Sequence, residues 1–189
     1  EDFELSDLVM STLREEPAAD PNIVLVNIGD ADRETIALML GIVGQHNPSV
    51  MGVDVTFNAS LPFAEDSLFM HVLSRYDNIV IGSELRRYNE VTNKFDTLLI
   101  PEQRLAKHTD WGFVNLVTDA ANQDDVKFCR ELVIRHSVEG QREEALAFAV
   151  KLAAYQSREK TEAFLRRGNQ IETINYRGNA LNNGQSKFG

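Results

Sequence analysis

The sequence predicts an α/β domain built on a three-layer mixed, mainly parallel sheet, with helices on both faces and an antiparallel extension. Two short apolar, β-branched runs carry that expectation, Asn22-Ile-Val-Leu-Val-Asn-Ile-Gly-Asp30 and Val50-Met-Gly-Val-Asp-Val-Thr-Phe57. Between them Ile36, Met39, Leu40 and Val43 recur at helical spacing, and Pro48 follows the helix. Strand, helix, strand with both strands apolar throughout is a βαβ unit, whose sheet is covered on both faces. In such sheets ligand sites form beyond the carboxyl ends of the strands, where Asp30 lies and near where Asp54 lies.

The remaining elements follow in order. Phe3, Leu5, Leu8, Val9 and Leu13 predict a short lead-in helix ending before Pro17 and Pro21. Strands over 22–29, 50–57 and 78–83 alternate with helices from about Asp32 to His46 and from about Glu65 to Tyr76. In the second helix Leu68, Phe69, Val72, Leu73 and Tyr76 form the apolar stripe, with His71 and Arg75 on another face. Glu84 to Ile100, with Asn93 at its centre, reads as a hairpin, and Pro101 to Lys107 as a short helix. Trp111 to Val117 and Phe128 to His136 read as strands paired antiparallel through a polar turn at Asp119 to Asp125. Gln141 to Gln156 is a helix packing through Leu146, Ala149, Val150, Leu152 and Ala153, and Arg158 to Arg167 is another, stopped by Gly168-Asn169. Ile171 to Tyr176 is the last strand, and the Asn- and Gly-rich tail 179–189 is irregular.

Composition narrows the function classes. With 189 residues and 43% hydrophobic content the chain can bury one substantial core, so a single domain over 1–189 is expected. A net charge of −10 argues against a nucleic-acid surface and against a polybasic membrane patch. Small molecules, peptides and protein partners remain open. Cys129 is the one cysteine, expected as an unreactive thiol in a core strand. No apolar run reaches the roughly 20 residues that span a bilayer. The chain starts at Glu1 without a methionine, as an excised piece of a longer protein would.

The candidate chemistry is sparse. Asp30 has two readings, a ligand or metal contact at the sheet edge or, together with Asp32, the N-terminal cap of the following helix. Asp54 stands between Val53 and Val55, and a carboxylate buried there needs a partner. The spacing Asp30-Ala-Asp32 matches dehalogenase-type phosphotransferases, but the flanking Gly-Thr loop is missing. His46, His71, His108 and His136 are scattered without zinc-ligand spacing. No nucleophile elbow, dinucleotide-binding glycine motif or Walker loop occurs, and no cofactor is implied.

The order of motifs resembles the CHASE domain of type two, from about Asp7 to Gly178. The motifs are 21–30, 48–57, Glu65-Asp-Ser-Leu68, Asn78-Ile-Val-Ile81, Gly112-Phe-Val-Asn115 and Ile174-Asn-Tyr-Arg-Gly178. That resemblance implies an extracytoplasmic (periplasmic) sensor domain of bacterial histidine kinases, adenylate cyclases and related inner-membrane receptors, without catalysis of its own. It implies flanking transmembrane helices in the parent protein, an unidentified small-molecule or peptide signal, a possible homodimer and no nucleic acid. Asp54, Asn115, Asn175 and Arg177 match family motifs and join Asp30 as ligand-binding candidates. The turn that commonly reads Asp-Gly is Asp124-Asp125 here, the Pro-Ser start of a later helix is Gln141-Arg-Glu-Glu144, and family members often continue past the Arg-Gly motif with a Gly-Lys-Ile-Val-type strand. Two rivals stay open: a Mg²⁺-dependent phosphatase using Asp30 and Asp54, and an assembly module that binds no small molecule.

Overall fold

The structure is a computed structural model that describes residues 20–57, 63–100, 103–116, 129–175, 181–182 and 185–186. The expected lead-in helix and the turn around Asp124-Asp125 lie outside the described residues. The chain divides into two compact units, the larger formed by Ala31–Val117 and Leu132–Glu172.

The larger unit begins with helix α1 (Arg33–Gly44), capped by Asp32, whose carboxylate accepts the Thr35 N–H at 2.8 Å. Hydrogen bonding from Thr35, first through its side chain and then through its N–H, holds the Asp32 carboxyl below the usual carboxylate range. Capping therefore falls to Asp32 and not to Asp30. Strand β1 (Met51–Val53) follows, then helix α2 (Phe63–Leu73), the long strand β2 (Ile79–Asn89) and its hairpin partner β3 (Lys94–Leu99). A one-turn helix α3 (Gln103–Ala106) leads into β4 (Asp110–Phe113). β1 and β4 flank the first half of β2 in parallel, with Gly52 opposite Val80 and Gly82 opposite Gly112. All five residues Ile79 to Ser83 are buried, so this stretch of β2 is covered on both faces.

After Phe113 the chain returns as β5 (Glu131–Val133), β6 (Arg135–His136) and β7 (Ala145–Leu146), then helices α4 (Phe148–Gln156) and α5 (Arg158–Leu165) and strand β8 (Ile171–Thr173). α4 lies directly on the parallel strands. A Cβ at Gly112 would come 2.6 Å from the Phe148 Cα, so only glycine permits that approach. α5 is capped by the Ser157 hydroxyl and ends at Leu165, followed by a turn that closes at Gly168, whose φ of +77° suits the expected glycine stop.

Several expectations are corrected. Residues 22–29 do not form a strand: 23–28 have no regular secondary structure between two turns, with Val24 68% and Leu25 59% exposed. Local bonds occupy the ends of this segment, Asp20 accepting the Asn22 N–H and Asn27 accepting the Gly29 N–H. Ladders β1–β2 and β2–β4 are parallel, whereas β2–β3, β6–β7 and β9–β10 are antiparallel, so the pairing is mixed. The strand at Trp111 does not pair with the one after Phe128. β4 takes the β2 edge instead, while β5 pairs with β8 and β6 with β7. The helix expected from Gln141 starts only at Phe148, because Ala145 and Leu146 are drawn into the ladder with His136 and Arg135. Ala149 and Ala153, expected on its packing face, are exposed.

The smaller unit comprises Glu1–Asp30, Thr118–Glu131 and Thr173–Gly189. Its described part includes the 22–29 segment and a bond from the Ile174 N–H to the Arg130 carbonyl. The tail expected to be irregular contains a short antiparallel hairpin, β9 (Leu181–Asn182) with β10 (Gln185–Ser186). Cys129 is half-buried, ahead of β5 and not inside it, its Sγ 3.4 Å from the Glu131 carbonyl.

Two interactions organise the larger unit. The first is Asp66 in α2, 0% exposed, which accepts Arg33 Nη1 on both carboxylate oxygens at 2.9 Å and has Arg104 Nη2 at 3.5 Å. Arg33 also stacks over Phe57, itself 5.0 Å from Phe69. The second is the hairpin arm, where Tyr88, Phe95 and His136 rings meet at 4.7–5.7 Å. Burial there holds the His136 imidazole below its usual range, against the opposing pull of Glu144.

Asp66→Ala should cost about 3–5 kcal/mol in denaturant unfolding, since it leaves buried Arg33 without its carboxylate. Asp54→Ala, by contrast, should shift stability by less than about 0.5 kcal/mol. A lowered folded pKa at His136 means that the unfolded chain takes up the proton first. Stability should thus be intact above pH 6.5 and fall as the pH drops below it, towards the depressed folded value. His136→Phe should flatten that acid limb in melting temperatures measured from pH 7.5 to 5.

Candidate functional site

The cleft of the larger unit opens where β2 and β4 begin. α2 ends at Leu73 in a tight turn, with the Ser74 hydroxyl donating to the His71 carbonyl and the Arg75 N–H to the Val72 carbonyl. Asn78 then anchors the start of β2 by donating its side-chain amide to the Pro48 carbonyl at 2.7 Å. On the other wall α3 unwinds through Lys107 and His108, and the Thr109 hydroxyl bonds back to the Leu105 carbonyl before Asp110 opens β4. Tyr155, near the end of α4, closes the third side. Its hydroxyl is 3.0 Å from Asp110 Oδ2 and 3.2 Å from the Asp77 carbonyl, and the carboxylate is the stronger acceptor.

Leu73 to Asp77, Lys107 to Asp110 and Tyr155 line an open cleft of about 570 Å³. Burial, with the Asp110 bond second, pushes the Tyr155 phenol up to about 12. Among the described residues Arg75, Asp77, Lys107 and Asp110 form no ion pair, although all four line one cleft. Their positions at the amino ends of parallel strands are opposite to the end that the βαβ pattern favours.

The residues singled out from the sequence are not brought together there. Asp30 is exposed in the smaller unit, one residue after Gly29. Asp54 is exposed just beyond β1 and has no hydrogen bond or ion pair among the described residues, which overturns the expectation of a partner. The burial of β1 alternates, Met51 and Val53 inward, and Asp54 simply takes the outward position. Asn115 works structurally: its Oδ1 accepts the Leu85 N–H at 2.7 Å and its Nδ2 donates to the Leu85 carbonyl at 3.0 Å. Its amide thus continues the β2–β4 pairing one step after Phe113. Asn175 is exposed in the smaller unit, and Arg177 lies outside the described residues.

Sequence reasoning missed Asp77, Lys107, Asp110 and Tyr155 as residues of one cleft. Arg75 was visible as a polar residue off the α2 stripe, but nothing in the linear pattern brings residues 75, 107 and 155 together. Among the described residues no group of three His, Cys, Asp or Glu is placed to hold a metal ion.

An α/β unit with a solute-sized cleft is compatible with a sensory input module, and comparison with protein families supplies that class. Residues 2–187 match the CHASE2 domain, a family of extracytoplasmic sensory domains in signal transduction. The chain belongs to that family. No curated protein and no solved structure matches it significantly.

In an alkaline spectrophotometric titration of the four tyrosines, one should ionise late, at about 12, and Tyr155→Phe should remove that step. The unfolded phenol loses its proton first, near pH 10, so the stability that Tyr155 contributes is complete below pH 10 and declines as the pH climbs towards 12.

Proposed function

We propose that this chain is the sensory input domain of a bacterial membrane-bound signalling protein, and that it takes a small-molecule or peptide signal in the cleft at the amino ends of β2 and β4. The observation that carries the reading is the cavity of about 570 Å³ lined by charged side chains without ion pairs. Sites for small solutes generally enclose about 300–1,000 Å³ with a few convergent polar groups. A ligand there touches the end of α2, the start of β4 and the end of α4 together. It would shift the domain between two arrangements only through different affinities for them.

The periplasmic setting, flanking membrane helices in the parent protein and pairing of two copies belong to the same proposal. No described helix is long and apolar enough to cross a membrane. The three-layer, mainly parallel sheet is also a proposal, and it requires 22–29 to become a paired strand. Solvent-facing Asp30 and Asp54 are the secondary ligand candidates, with Asn175 and Arg177 from the closing family motif. Asn115 contributes only by holding the strand ends, because both of its amide atoms are occupied. The domain has no turnover of its own in this reading, since the sequence offers no activated nucleophile or phosphate loop.

A thermal-shift screen against a metabolite and peptide library tests the reading. A true ligand at roughly a hundredfold excess over its Kd should raise the melting temperature by about 5–10 °C. The shift should shrink in Lys107→Ala. A shift unchanged by cleft substitutions would contradict the cleft. Phosphatase turnover with Mg²⁺ that disappears in Asp30→Asn or Asp54→Asn would establish the enzyme instead.

A further inference from the structure

We infer that the cleft is built for a zwitterion, an α-amino acid or short peptide with free ammonium and carboxylate groups. This rests on the reading of the cleft as the signal site and names the chemistry of its ligand. Each of two walls presents a cation followed shortly by a carboxylate: Arg75 and Asp77 in the turn before β2, Lys107 and Asp110 in the turn before β4. The four charges balance, although the chain as a whole carries −10. A purely anionic ligand would meet two carboxylates, and a purely cationic one two cations. Only a ligand with both signs satisfies both pairs.

The second observation is that these charges do not satisfy one another. Arg75, Asp77 and Lys107 are exposed and Asp110 is half-buried, and among the described residues none of the four lies within 4.0 Å of an opposite partner, so their charges remain available to a ligand. Tyr155 explains part of this. Its hydroxyl is within hydrogen-bonding distance of Asp110 Oδ2 and the Asp77 carbonyl, which bridges the two walls and holds Asp110 at the sheet. The other Asp110 oxygen has no partner among the described residues, which suits an incoming ammonium. The guanidinium of Arg75 and the ammonium of Lys107 are the matching donors for a carboxylate.

The test uses alanine and alanyl-alanine as probes, with the N-acetylated and C-amidated forms of each, and citrate as a purely anionic control. Binding is read from backbone amide resonances of residues 75–77 and 107–110 in the intact chain. One of the free zwitterions should move these resonances, and blocking either of its ends should weaken binding at least tenfold. Lys107→Gln and Asp77→Asn should each weaken it comparably. The inference is overturned if neither free zwitterion moves the cleft resonances, or if the blocked forms bind as well as the free one. Citrate binding there in place of the zwitterions would overturn the ligand class and leave the cleft as signal site. If no probe moves these resonances while a thermal-shift ligand maps elsewhere, both readings fail.

Discussion

The fold of the larger unit depends on one buried carboxylate. Asp66 is fully enclosed and joins three helices, with Arg33 from α1 gripping both of its oxygens and Arg104 from α3 approaching from the side. Taking these charges out of water is expensive, and their attraction offsets that cost only with good geometry and further contacts. The two-oxygen contact at 2.9 Å and the stacking of Arg33 over Phe57 supply such geometry. An apolar substitute could be as stable, but it would not specify which helix meets which. The pair acts as a registry device, placing α1 and α3 against α2.

That registry reaches the cleft. Asp66 and Leu73 are seven residues apart on α2, which at about 1.5 Å per residue puts the ion pair and the cleft about 10 Å apart on the same helix. α3 is shorter, and only two residues separate Arg104 from Lys107. Two of the helices joined at Asp66, α2 and α3, are thus the ones whose ends form two cleft walls. α4 supplies the third and is held against the sheet by its close approach at Gly112. A ligand drawing the walls together would load the helices that meet at Asp66, a physical route by which a sensory domain can convert binding into displacement.

Much of this architecture is legible in the sequence, and the failures have physical causes. The periodicity of Ile36, Leu40, Phe69 and Leu73 located both early helices, because an apolar stripe is a local property of one segment. Strand pairing is not local. The 22–29 run has strand composition throughout, yet no ladder forms there, and Asn22 and Asn27 bond within their own turns instead. Leu146 fits the helical period of Val150 but sits in a two-residue ladder opposite Arg135. The site was the least legible part. Asp54 drew attention because its neighbours are apolar, but alternation along β1 turns it outward. Asp66, which is buried, looked like an ordinary polar residue in a family motif. The cleft draws on residues 73–77, 107–110 and 155, which only the parallel pairing of β2 and β4 and the docking of α4 bring together.

The central claim is that the Arg33–Asp66 pair, and not apolar packing alone, holds the helices that build the cleft. A double-mutant cycle with Arg33→Met, Asp66→Leu and the combined variant measures it most directly, read as unfolding free energies in urea. The account predicts strong coupling, with each single variant losing several kcal/mol and the double variant recovering much of that loss, because the charge pair is then removed together and the remaining cation, Arg104, reaches solvent. Losses that simply add would contradict it, and would make Asp66 one buried polar residue among others.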